Sequence, residues 1–167
     1  RETFDTLDAW KPVTFPRISG LEFSRGDETE AYHMLDEGRA IIVNGIFASQ
    51  RKVNVGDTLT LDTPGGPVDY VIAGVGLDYL NAKLATGYIS QKNMEQDFNV
   101  VNDMLIMANQ ADGSDRPVTE AALSQLIEKY PAFTFFRSEV FRKSQIDMIN
   151  QAMILFYGIL AALVIPG

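Results

Sequence analysis

The chain contains no cysteine. That excludes a disulfide framework and any thiolate metal site, while leaving the cellular compartment open. It has one histidine, His33. A catalytic or metal-binding imidazole needs partners, and the nearest are Asp36 and Glu37, three and four residues on. A helical His-x-x-Asp-Glu could hold a metal weakly, but the same spacing suits an exposed helix face, which is the preferred reading. There is no G-x-S-x-G elbow, and a lone histidine leaves the usual nucleophile triads little to draw on. Gly74-Val75-Gly76 lacks both the third glycine of a phosphate loop and a clear helix after it. Positive charge is also scarce. Fourteen Lys and Arg face 22 Asp and Glu, a net charge of −8, and no basic field exists to draw in nucleic-acid phosphates. The expectation is a protein that is not an enzyme, with no catalytic residue, cofactor or metal.

What is present is ordinary for a globular protein: 46% hydrophobic and 22% charged residues over 167 positions. That length suits one domain, with room for two lobes and a real core. The chain starts at Arg1 without methionine or a signal peptide, and is expected to be a piece of something larger. Acidic residues gather at Asp27, Glu28 and Glu30 and again at Asp36 and Glu37. Paired carboxylates can do acid–base work when burial separates their pKa values, but on one short helix they read as a solvated face complementing the helix dipole.

Residues 38–75 organise the rest. Ala40–Val43 is a short apolar run rich in β-branched residues, a buried strand. Asn44 can cap a following helix of one or two turns, ending near Arg51-Lys52. Gly56-Asp57 signals a turn. Thr58–Thr63 alternates polar and apolar, the period of a half-buried strand. Pro64-Gly65-Gly66-Pro67 breaks it, and Val68–Val75 returns to make a hairpin. Gly65-Gly66 is read as turn chemistry, with Gly65 expected at positive φ.

Before this stretch, Val13-Thr14-Phe15 reads as a short or edge strand between Pro12 and Pro16. A helix is predicted over about 27–37, with Asp27 as its cap, Glu30 three residues on, and Gly38 as its stop. After it, Gly76–Thr86 reads as a loop whose Tyr79, Leu80 and Leu84 are candidates for a partner contact. Gly87–Ile89 follows as a strand, and Ser90 can cap a helix over 91–98. Asp103–Ala108 reads as a strongly apolar strand. Pro117 opens a helix to about Lys129, whose apolar face is Ala121, Ala122, Leu123, Leu126 and Ile127. Ala132–Phe136 reads as a returning strand, so that residues 103–136 make a βαβ unit. From Ser138 a helix-compatible sequence runs to Ile165. Its first half is charged; from Ala152 to Ile165 every residue is apolar, Tyr or Gly. That run would be about 21 Å of helix, short of the roughly 20 residues that span a bilayer. It is apolar on all faces, so a surface helix is disfavoured and the start of a membrane span is preferred over a buried core helix. Arg137, Arg142 and Lys143 ahead of it argue the other way, since basic flanks tend to be cytoplasmic.

VNGIFASQRKVNVGDTLTLDTPGGPVDYVIAGV resembles the strand–helix–"VGDTLTL"–hairpin–"VxGV" signature of the MacB-like periplasmic core domain, the extracytoplasmic part of FtsX-like ABC transporter permeases. The similarity runs from about Leu35 to the C-terminus. It implies a domain that does not hydrolyse ATP but receives motion, through a helical stalk, from a separate cytoplasmic ATPase. That motion serves export, lipoprotein handling or activation of a partner. The resemblance also implies a second permease copy in the membrane and carries over no catalytic residue. The resulting expectation is an α+β fold, with a βαβ-containing lobe and a small hairpin-rich β lobe. Residues 1–143 would form the extracytoplasmic core domain at the cell membrane. Residues 144–167 would form the stalk and the start of a transmembrane helix. An extracellular ligand-sensing domain of a membrane receptor is the alternative, and would show a pocket of convergent polar groups.

Overall fold

The computed structural model describes residues 4–77 and 84–137, and beyond them residues 139, 140, 143, 146, 147, 150, 151, 153 and 154. The chain divides into two compact units, residues 1–109 and 110–167.

Unit 1 contains β1 (Thr6–Trp10), α1 (Phe15–Ile18), β2 (Glu22–Arg25), α2 (Glu28–Glu37), β3 (Ala40–Asn44), α3 (Gly45–Arg51), β4 (Thr58–Thr63), β5 (Gly66–Leu77), β6 (Thr86–Ser90) and α4 (Gln91–Phe98). Three helices start as their sequences prescribe, on a side-chain oxygen that takes a free backbone N–H. Asp27 accepts from the Glu30 N–H at 2.9 Å, Asn44 from Phe47 at 3.0 Å and Ser90 from Asn93 at 3.1 Å. Helices α3 and α4 stop on left-handed residues, Lys52 (φ 57°) and Asn99 (φ 58°). Helix α2 stops at Gly38 as predicted, but in extended backbone (φ −150°).

The sheet is mixed, with strand order β1-β6-β3-β5-β2 and β4 paired with the first half of β5. Strand β3 runs parallel to β5 and antiparallel to β6, and β1 runs parallel to β6. Alternation along β3 divides the core between two faces. Ile41 and Val43 pack with Phe47 and Ala48 of α3, Met94 of α4, Leu59 and Leu61 of β4, and Tyr70 and Ile72 of β5. Ala40 and Ile42 pack on the opposite face with Phe15, Ala31, Tyr32, Leu35 and Tyr88. Helices therefore cover the sheet on both sides, which is why all five residues of β3 are buried. A register shift between Ile41 and Ile42 brings Gly74 opposite Ile42, a bulge that lets β5 keep both neighbours. A Cβ on Gly74 would lie 2.5 Å from the Phe23 ring, and one on Gly76 would lie 2.8 Å from Leu21. These glycines admit side chains from β2 and its approach to the sheet; they do not open onto a helix.

Unit 2 is helical in its described elements. Asp115 caps α5 (Arg116–Ile127), accepting from the Val118 N–H at 3.2 Å. Pro117 lies in the first turn, where its missing N–H costs nothing. Every described residue from 139 to 154 is helical.

The fold is α+β, with several departures from the sequence reading. Residues 13–15 form no strand. They turn into α1, because Pro16 fits the opening turn of a helix; the N-terminal strand is Thr6–Trp10 instead. Neither 103–108 nor 132–136 is a strand, so the βαβ unit across 103–136 does not form. Their apolar residues find no partner strand among the described residues: Met104 is 98% exposed and Phe133 is also exposed. Strand propensity expresses itself only where a neighbouring strand completes the ladder. Residues 103–109 instead lie as a strap pinned at its ends. Gln91 donates to Asp103 at 2.7 Å, and Asn109 donates to the carbonyls of Arg17 and Ile18 at 3.3 and 3.4 Å. The hairpin is not a separate lobe either, since β5 belongs to the main sheet. Within it Gly66, not Gly65, holds positive φ (112°); Gly66 pairs with Thr63, leaving Pro64-Gly65 as the turn. Among the described residues no helix is long and apolar enough to cross a membrane. Ala152 and residues 155–167, most of the predicted span, lie outside them.

Candidate functional site

Strands β3 and β5 finish at the edge of the sheet where β1 and β6 begin. The loop joining β5 to β6 leaves from this edge and returns to it. Its first foot is Leu77, the last residue of β5, and its last foot is Leu84. Both side chains are exposed, at 38% and 42%. Tyr79 and Leu80, the other two candidates for a partner contact, lie outside the described residues.

Leu84 stands on a rigid base. Asn44 is buried, and its side chain does two jobs. Its oxygen caps α3, while its Nδ2 donates to the Leu84 carbonyl at 2.6 Å. The Thr86 hydroxyl also donates to that carbonyl, at 3.3 Å. Next to it, the Ala85 N–H donates to Asp5 Oδ2 at 2.8 Å, and the Asp5 N–H donates to the Ala85 carbonyl at 2.9 Å. Beneath this base, Phe4 stacks on Phe47 with centroids 4.1 Å apart. The backbone at 84–85 is thus satisfied by protein groups while the leucine side chain faces outward, which gives a preorganised apolar contact. Sequence reasoning named Asn44 as a cap and Leu84 as a candidate for a partner contact; it missed that one holds the other, because forty residues separate them.

A second cluster was not foreseen. Asp97, at the end of α4, has a side chain only 6% exposed. It accepts two bonds from the Arg39 guanidinium, both at 2.9 Å, and one from the Tyr70 hydroxyl at 2.6 Å. The hydrogen bonds from Arg39 hold the Asp97 carboxyl below the usual range, against the opposing effect of burial; Tyr70 adds to the lowering. Burial, then the bond to Asp97, pushes the Tyr70 phenol well above its ordinary value. Arg39 is raised by the hydrogen bonds that it donates itself to Asp97. All three shifts lock the charge states present at neutral pH, which is the reverse of what a proton-transfer site needs. With Asn93, which donates to the Gly38 carbonyl at 2.7 Å, the cluster anchors α4 to the corner between α2 and β3.

The remaining candidates are not brought together. His33 meets Glu37 at 3.3 Å on the exposed face of α2. Among the described residues no three His, Cys, Asp or Glu side chains are grouped to hold a metal. Asp27 is used as a cap, and Glu28 and Glu30 lie in the first turn of the same helix. No protein-family model matches the chain, and no curated protein matches it.

Proposed function

We propose that this chain is the extracytoplasmic domain of an FtsX/MacB-like ABC transporter permease. It would be carried at the cell membrane and couple a cytoplasmic ATPase to export, lipoprotein handling or activation of a partner outside the membrane. One observation supports this reading above the others. The stretch bearing the sequence resemblance, 43–75, lies on β3 to β5, which follow the order that the resemblance implies: strand, capped helix, corner, strand, turn, strand. The exposed leucines that flank the β5–β6 loop give such a domain a place to meet a partner. The Asp97 cluster, with its charges locked, suits a framework more than a catalyst. A second permease copy and the ATPase subunit are the partners in this reading.

The test uses the full-length protein in its native membrane, in which Leu84→Cys and Leu160→Cys are introduced separately. This chain has no cysteine of its own. A membrane-impermeant maleimide added from outside should label position 84 and leave position 160 unlabelled. Labelling of 84 only after the membrane is opened would refute the placement. Normal nucleotide-driven transport by a protein lacking residues 1–109 would refute the coupling role.

A further inference from the structure

We propose that Arg116, Glu120, Arg137 and Glu139 form a salt-labile clasp that ties α5 to the helical residues that begin at Glu139. The proposal rests on the geometry of unit 2 alone, so it stands or falls separately from the permease reading. Arg116, the first residue of α5, spends its whole guanidinium on two carboxylates. Its Nε donates to Glu120 Oε1 at 2.9 Å, one helical turn on. Its Nη1 and Nη2 donate to the two oxygens of Glu139 at 2.8 and 2.7 Å. The second oxygen of Glu120 meets Arg137 Nε at 2.8 Å. The order is Glu139, Arg116, Glu120, Arg137: four alternating charges joining the first turns of α5 to Arg137 and Glu139. The two-pronged pairing of Arg116 with Glu139 requires the planar fork of arginine, which lysine lacks.

Burial does little to hold these two elements together. No side chain of α5 is buried, and Arg116, Arg137 and Glu139 are half exposed at their side chains. Glu120, only 18% exposed, is the sheltered centre of the group. Exposed ion pairs gain little singly and are screened by salt; a network with two-pronged geometry is the case in which they matter. Closed, the clasp makes α5 follow the described helical residues from Glu139 on. Open, the two can move apart, because no buried apolar layer from α5 resists it.

Nitroxide labels at Ala122→Cys and Asn150→Cys in the 167-residue chain read this directly, as distance distributions from pulsed electron resonance. At low salt the distribution should be narrow. Raising salt to about 1 M, where screening acts over roughly 3 Å, should broaden it. Glu139→Gln should reduce the narrow population at low salt by about two- to five-fold, the effect of losing one exposed pair. Arg116→Glu alone should broaden it further. The fourfold inversion (R116E, E120R, R137E and E139R) should restore the narrow peak and its salt sensitivity, since it preserves alternation. A distribution unmoved by salt and by Glu139→Gln overturns the clasp. So does a fourfold inversion that stays broad while circular dichroism shows native helix content.

Discussion

The two units of this chain are stabilised by different means. In unit 1 a mixed sheet is covered on both faces, and twenty apolar residues are buried among those described. In α5 the apolar face predicted from Ala121, Ala122, Leu123, Leu126 and Ile127 exists as a helix, yet none of it is buried. Helical periodicity is thus a local property, satisfied by caps and propensity. Burial is not local, and requires a neighbour that the sequence pattern does not name. Charge shows the same division. The carboxylate of Asp97 is enclosed and fully partnered in unit 1, whereas the carboxylates of unit 2 pair in or near solvent.

The largest effect should come from the sheet centre. Ile42 is fully buried beneath Ala31, Leu35 and Tyr88. Ile42→Ala should cost about 2–5 kcal/mol, the lost transfer energy plus the cavity left in a packed layer. Urea unfolding followed by tryptophan fluorescence reports on this unit, because the single tryptophan, Trp10, stacks on Phe15 at 3.7 Å and Tyr88 at 4.2 Å. A loss under about 1 kcal/mol would mean that this layer can collapse around the gap, and that the contrast between units is weaker than burial indicates.

Next comes the enclosed charge. Tyr70→Phe removes a bond to a buried carboxylate and should cost about 1.5–3 kcal/mol. The acid limb gives a separate check. Asp97 has a lowered pKa in the folded protein, so the folded state binds its proton less readily than the unfolded state does. Its stabilisation is therefore complete above the ordinary aspartate value of about 3.9 and is lost as pH falls through the folded value. Wild-type stability should drop across that window, and Asp97→Asn, less stable at neutral pH, should drop less. Equal slopes in the two proteins would remove Asp97 from the acid response.

How much of this was legible in the sequence follows from how far each feature reaches along the chain. Asn44, Ser90 and Asp27 were readable as caps because each acts on an N–H three residues away. The stretch from β3 through β5 was readable because two periods of two, one short helix and a Pro-Gly turn all agree. Strand β1 was missed because its partner, β6, lies eighty residues on, and the alternation of Thr6, Leu7, Asp8 and Ala9 spans only four residues. Asp103–Ala108 was misread because apolar content implies a strand only if an edge is free to receive it. Arg39, Tyr70 and Asp97 sit 58 and 27 residues apart and carry no local mark. At the loop, Leu84 was legible as a candidate for a contact, and its attachment to Asn44 was not.

The smallest effect belongs to α5 and tests the comparison from its other side. Leu126 is 49% exposed, near the C-terminal end of a helix with no buried residue. Leu126→Gln keeps helix propensity nearly unchanged, since both residues rank among the good helix formers. It removes apolar surface from a position that already faces solvent, so little transfer energy is at stake. Surface changes of this kind stay within about 0.5 kcal/mol. The unfolding midpoint followed by far-ultraviolet circular dichroism, which sees the helix itself, should therefore not move, and the helix signal before unfolding should be retained. If Leu126→Gln instead costs as much as Ile42→Ala, then α5 is covered in solution by something that packs on Leu126. Repeating the measurement over a hundredfold range of protein concentration would show whether that cover is a second copy: a concentration-dependent midpoint in wild type, lost in Leu126→Gln, would identify it.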